Sequence, residues 1–210
     1  MPRPVKPMIS RRGAAEAALA VIDERGLDGF NMALVAKRLG VKPPSLYHHF
    51  RDRREVLAEV ALLLLDPGEF ALDEADWAER LVELCLKTRR SLLKHPRAAS
   101  LILQYFPRHL LLDEYDRAAR EDPLAAELHM AVIEGTEKIT FGSALFEAFA
   151  RSADVPSFPK VDPMRYPTLT KSLASNPFAD EELFVETLRM FLAGATARAA
   201  TKSWGTRLAP

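Results

Sequence analysis

The stretch MALVAKRLGVKPPSLYHHFRDRR, residues 32–54, sets the reading of the whole chain. Val35, Ala36 and Leu39 fall at i, i+1 and i+4, one face of a short helix. Asn31 precedes that run, and its side-chain oxygen can accept a bond from a free first-turn N–H. Gly40 closes it, because glycine reaches the left-handed C-terminal conformation without a Cβ clash. Pro43 and Pro44 sit where a second helix must begin, since first-turn amides have no intrahelical partner to lose. Leu46, Tyr47 and Phe50 then supply its apolar face. Two short helices, a glycine turn and a small Ala36 at the crossing read as a helix-turn-helix, although the same spacing also makes a plain helical hairpin. In a helix-turn-helix the second helix enters the DNA major groove. Its non-core positions here are Lys42, Ser45, His48 and His49, with Tyr47 at the edge.

The flanks favour DNA. Residues 1–55 hold 11 Lys and Arg against 6 Asp and Glu, so a formal net charge of zero conceals a basic N-terminal quarter on an acidic remainder. Arg51, Arg53 and Arg54 crowd the start of a fourth helix capped by Asp52, where the helix dipole alone favours acids; phosphates alongside would explain them. Residues 1–9 carry three prolines and two basic residues and are expected to be a flexible arm. Ser10 caps a first helix reaching about Arg25, with Ala15, Ala18, Leu19 and Ile22 as its stripe.

Leu and Ala abound and alternating strand patterns are absent, so the chain reads as all-α throughout. Helices are expected from Asp52 to about Leu65, ending at Asp66-Pro67-Gly68, and from about Asp76 to Lys94. Further helices are expected over 98–106 and 109–119, over 124–151, and from Asp180 to the C-terminal region, with 155–167 as a proline-rich loop. The longest uncharged run is too short to span a bilayer, and the start lacks a signal-peptide core, so no membrane segment is expected. Cys85, the sole cysteine, excludes an intrachain disulfide and fits a cytoplasmic protein.

With these elements placed, the sequence resembles the tetracycline-repressor (TetR) family of bacterial regulators. The resemblance is carried by GLDGFNMALVAKRLGV, SLYHHF and the following Arg53 with Val56 and Leu57, in order and spacing. DWAERL at 76–81, SLLKHP at 91–96, TFGSALFEAF at 140–149 and ELFVETLRMFLAG at 182–194 are similar to parts of the family's C-terminal core. The resemblance implies a three-helix head (1–54), joined by helix four to a helical-bundle core (55–210) that binds ligand and dimerises. It implies a homodimer on a palindromic double-stranded DNA operator, released by a small-molecule effector. DNA contacts fall on Lys42, Pro43, Pro44, Ser45, Tyr47, His48, His49 and Arg53. Ala33 stands where many members place an arginine, and Pro43 replaces a polar reader, so direct base readout is thinner here. The tetracycline-binding members hold a metal-chelated drug with His, Asn and Glu. This chain has no His at the corresponding stretch after helix four, and 98–107 reads AASLILQYFP, so neither a metal nor tetracycline is expected, and no cofactor is expected.

The residues expected to face an effector are Trp77, Leu81, Leu84, Cys85 and Thr88, then Leu101, Tyr105 and Phe106, then His129, Met130, Ile133 and Phe141. Their composition favours a largely apolar or aromatic, uncharged ligand. The apolar faces of 182–193 and 132–149 are expected to form a four-helix interface across a two-fold axis, with Leu188 inside it. No Gly-rich phosphate loop, nucleophile elbow or metal-ligand pair appears, so an enzyme is not expected. A constitutive DNA binder without an effector, and a helical enzyme, are the alternatives to a ligand-responsive repressor.

Overall fold

The computed structural model describes residues 9–65, 76–106, 108–156 and 158–202; the first eight residues of the expected arm (1–9) and the Asp66-Pro67-Gly68 break lie outside them. Capping chemistry sets the boundaries of the head. The Gly13 N–H donates to Ser10 Oγ at 3.0 Å and opens α1 (Arg11–Arg25). The Leu34 N–H donates to Asn31 Oδ1 at 3.0 Å and opens α2 (Met32–Arg38). Gly40, with φ 67°, then turns the chain into α3 (Pro43–Leu46), whose first turn is the two prolines. α3 is only four residues long, yet helical bonding carries on, because the N–H groups of His49 and Phe50 both donate to the Leu46 carbonyl. A reciprocal cap follows: the Glu55 N–H donates to Asp52 Oδ1 at 2.9 Å and the Arg51 N–H to Glu55 Oε2 at 2.7 Å. It opens α4 (Arg53–Leu65).

The body consists of α5 (Trp77–Lys94), α6 (Leu101–Tyr105), a 3-10 turn (Arg108–Leu110), α7 (Leu112–Glu121), α8 (Ala126–Ala153), α9 (Pro167–Ser175) and α10 (Asp180–Thr201). No strand occurs among the described residues, and the protein is all-α. α5 and α8 run side by side in the same sense, since Arg89 meets Ser143 while Cys85 lies against Thr140. α10 runs opposite to both: Asp180 pairs with Arg89 near one end, and Arg189 pairs with Glu79 near the other. Gly135 is where α10 comes closest to α8. A Cβ there would lie 2.3 Å from Phe191 Cζ, so only glycine admits that ring.

Two apolar cores form around this frame. The larger joins the head to the body: Ala18, Ile22, Val35, Leu46, Phe50, Leu57 and Leu64 share it with Leu92, Leu101, Ile102, Ala144 and Ala148. The smaller holds Val82, Cys85, Val132, Phe184, Leu188 and Leu192. Polar groups lie on α5 and α8 between the positions that feed the two cores. Buried Arg89 donates through Nε to Ser143 Oγ at 2.9 Å and through Nη2 to Asp180 Oδ2 at 2.5 Å, and its guanidinium lies 5.2 Å from the Phe184 ring centroid. Buried Thr88, Thr136 and Thr140 belong to the same band. A buried guanidinium is tolerable there because carboxylate, hydroxyl and ring together replace its water.

Two expectations need correction, and one helix was not anticipated. Residues 167–175, beyond the expected proline-rich loop, form a helix, because Pro167 sits in the first turn of α9, where proline starts helices as readily as it ends them. The apolar helix expected over 98–106 shrinks to Leu101–Tyr105, after a turn in which the Ala98 and Ala99 N–H groups both bond the His95 carbonyl. Leu188 is buried within its own protomer against α5 and α8, so it is not an interface residue; the outward side of α10 presents Leu183 and Met190 instead.

Candidate nucleic-acid interface and effector site

α3 displays its side chains as a helix-turn-helix requires. Leu46 and Phe50 are buried and anchor it, while Lys42, Pro43, Pro44 and His48 are exposed and Ser45 and His49 are half-buried. Tyr47, read from the sequence as part of the apolar face, is 51% exposed, because Leu46 and Phe50, four residues apart, already fill the inner face. Its hydroxyl is therefore available to a phosphate. Lys37 and Arg54 add exposed charge on either side of α3.

Arg53 behaves differently from a plain phosphate contact. It is exposed, but its Nη2 donates to the Leu27 carbonyl at 3.2 Å and its guanidinium lies 5.2 Å from the Phe30 ring. The side chain thus pins the α1–α2 connection to α4 as well as facing outward. Arg38 is also engaged, donating to Glu24 at 2.6 Å.

Arg11 was not singled out in the sequence, yet it fixes where α3 ends. Its Nη1 donates to the His49 carbonyl at 2.5 Å, its Nη2 and Nε reach Glu55 and Glu59 on α4, and its carbon CZ lies 4.6 Å above the Phe50 ring. Bonding to Glu59 and Glu55 raises the Arg11 pKa further above its ordinary value, against the lowering effect of burial. The Glu55 carboxyl is held below its ordinary range first by the Arg51 N–H and then by Arg11. The available signal was a pair of acids at i, i+4 on α4 with no basic partner on that helix's inner side.

Of the twelve residues expected to face an effector, seven divide between the two cores. Leu101, Tyr105, Phe106 and Phe141 belong to the head-side core, whereas Trp77, Leu81 and Cys85 belong to the other. Thr88 lies between, its hydroxyl donating to the Leu84 carbonyl at 2.9 Å. His129 places Nε2 3.1 Å from the Leu124 carbonyl and ties down the turn before α8. Ile133 is half-buried. Leu84 and Met130 do not join the interior: they are 38% and 60% exposed. Each lies off the buried stripe of its helix, Leu84 one residue from Cys85 and Met130 midway between Leu128 and Val132, so 100° per residue turns them outward. Burial among apolar neighbours pushes the Cys85 thiol up to about 11.

A polar cluster borders this region, built on Glu137, whose pairing with Glu134 at i, i+3 reads from the sequence as an ordinary surface feature. Glu137 on α8 receives Arg108 Nη2 at 2.5 Å and the Tyr115 hydroxyl at 2.5 Å, so both its oxygens are bonded from outside its own helix. Burial and the neighbouring Glu137 push the Tyr115 hydroxyl well above its ordinary pKa. Arg108, Tyr115 and Glu137 are too far apart in sequence for any periodicity to join them. Among the described residues no group of three or more His, Cys, Asp or Glu is placed to hold a metal ion. None of the helices in those residues is long and apolar enough to cross a membrane.

A basic helix-turn-helix on an all-helical body defines a class of DNA-binding regulators, and the comparisons agree. Residues 15–60 match the profile of bacterial regulatory proteins, tetR family. The chain is 26% identical over 195 residues to the tetracycline repressor protein class D of Escherichia coli, covering 89% of this chain and 88% of that protein. A TetR variant from Acinetobacter baumannii AYE, solved with minocycline, superposes with a TM-score of 0.72 at 18% identity, over 96% of this chain and 100% of the other. BioQ, solved with its natural double-stranded DNA operator, gives 0.58 at 23% identity, over 80% and 100%. Residues 15–60 thus carry a DNA-binding helix-turn-helix of the tetR type, and the chain as a whole is similar to TetR-family transcriptional regulators.

Proposed function

We propose that the protein is a homodimeric, ligand-responsive repressor, held on a palindromic operator by two heads and released by a small, largely apolar effector. The observation that carries this reading is the head-side core, in which α3's anchors Leu46 and Phe50 share one apolar cluster with Leu101 and Ile102 of α6. A change at α6 cannot leave the head indifferent, because packed cores rearrange between discrete states rather than stretch. Lys42, Ser45 and His48 serve as base readers, Pro43 and Pro44 touch thymine methyls, and Tyr47, His49 and Arg53 hold phosphates. The head is assigned to residues 1–54 and effector binding and dimerisation to 55–210, in the cytoplasm where operator DNA is met. The relatives' drug and DNA complexes support the two kinds of partner.

Selection from genomic fragments followed by fluorescence anisotropy tests it. The expected result is a palindromic fragment bound with a steep loss of affinity as salt rises, because each phosphate contact releases counterions. Tyr47→Phe should weaken all sequences alike, and Lys42→Ala should also alter base preference. Recovery of no palindromic fragment, with or without candidate effectors, overturns the reading. Turnover of any ligand by the purified protein would instead favour an enzyme.

A further inference from the structure

The Glu137 cluster has the composition of an occupied binding site. The Glu137 side chain is only 14% exposed, so its charge requires a cation or strong donors. Arg108 supplies the cation from a turn outside the bundle, is itself 49% exposed, and has Glu134 3.9 Å from its other nitrogen. Its guanidinium also lies 5.5 Å from the Phe106 ring centroid, and Phe106 meets Phe141 edge-to-face with centroids 5.0 Å apart. A carboxylate beneath and an aromatic pair beside are what an organic ammonium group binds in water-poor sites. On α8, Glu137, Thr140 and Phe141 follow at i, i+3 and i+4, on one face. Thr140 Oγ1 is fully buried, and its one polar neighbour among the described residues is the Cys85 thiol, a weak sulfur partner at best. A ligand N–H would be a stronger partner for that hydroxyl.

We propose that Glu137, Thr140, Phe106 and Phe141 form a site for an organic cation with an apolar or aromatic body, and that Arg108 fills it from within the chain until such a molecule displaces it. The inference rests on the effector reading above and names that effector's class, a cation where the lining residues read from the sequence pointed to an uncharged molecule. An anion would meet Glu134 and Glu137, and a neutral molecule could not replace the charge that Arg108 withdraws. Displacement has a mechanical consequence. α7 buries none of its residues, and its Tyr115 hydroxyl also ends on Glu137, so a cation on Glu137 releases both the Arg108–Leu110 turn and α7. That turn lies just beyond α6, whose Leu101 and Ile102 are in the head-side core.

Calorimetric titration of the full chain with phenylbutylammonium, and with phenylbutanol and phenylbutyrate as matched neutral and anionic probes, tests the site. Arg108→Ala removes the internal occupant and should bind the ammonium about tenfold more tightly than wild type, because the competent state is no longer masked. The same variant should prefer the ammonium to the alcohol, and Glu137→Gln should lose about tenfold or more in ammonium affinity. Arg108→Ala binding the ammonium no better than wild type, or no better than the alcohol, overturns the proposal, as does tighter binding of phenylbutyrate. Operator binding is measured separately. Its loss with cation binding intact would overturn the repressor reading alone, and the converse would overturn this one alone.

Discussion

Cys85 shows how far one side chain can report on the interior. With its thiol pushed up to about 11 by burial, almost none of it is thiolate near neutrality. Iodoacetamide at pH 8 should therefore label the native chain on the order of a hundredfold more slowly than the urea-unfolded chain, whose thiol titrates normally. Equal rates would mean that the space between α5 and α8 stands open to water. Glu55 makes the corresponding statement about acid. Its folded value is depressed, so its contribution to stability is complete above the unfolded carboxylate value of about 4.3 and is lost as pH falls below it. Replacing Glu55 with Gln should flatten the fall in melting temperature between about pH 5 and 3, the interval in which an ordinary carboxylate takes up its proton. An unchanged acid limb would show that the Arg51 N–H and Arg11 hold the carboxylate no more tightly than water does. Arg11→Met, which keeps the stem over Phe50, should destabilise the head by about 1 kcal/mol, a modest figure because the ion pairs are half exposed. Thermal melts of the two chains decide it.

At the scale of elements, Gly135 invites a double-mutant cycle. Gly135→Ala alone should destabilise, since the added methyl meets the Phe191 ring. In a Phe191→Ala background the same change should stabilise by about 1 kcal/mol, the helix propensity gained when the obstacle is gone. Equal effects in both backgrounds, read from denaturant midpoints, would show that α8 and α10 do not meet there. Elements announced by local chemistry were legible in the sequence: Ser10, Asn31, Gly40, Pro43 and Asp52 act on neighbours one to four residues away, and each does in space what its type suggests. α9 was not legible, because Pro167 reads equally as the end of a loop and the start of a helix. Leu84 and Met130 went astray through helical phase, which a few residues of apolar pattern do not fix. Arg108, Tyr115 and Glu137 come together only through the path of the chain between α6 and α8, on which no spacing rule bears.

For the whole molecule, the exposed apolar surface bears on the proposed dimer. The outward sides of α8 and α10 carry Phe146, 81% exposed, with Phe149, Leu183 and Met190, beside small Gly194 and Ala197 that allow close approach. Phe146→Asp or Met190→Glu should yield monomers in sedimentation runs at micromolar concentration, where wild type is expected to be a dimer. A monomeric wild type would overturn the proposed two-headed binding of a palindrome. The core shared by head and body bears on a practical matter as well. Val60, Ala61 and Leu64 of α4 are buried in the same cluster as Ile22 and Phe50 on one side and Ile102 and Ala148 on the other. A chimera spliced at residue 54 would set one parent's α1–α3 against another parent's α4 and α6, and the seam would run through side chains shaped for different neighbours. Exchanging operator specificity with a relative therefore calls for grafting only the solvent-facing positions of α3, with the residues beneath them left as they are.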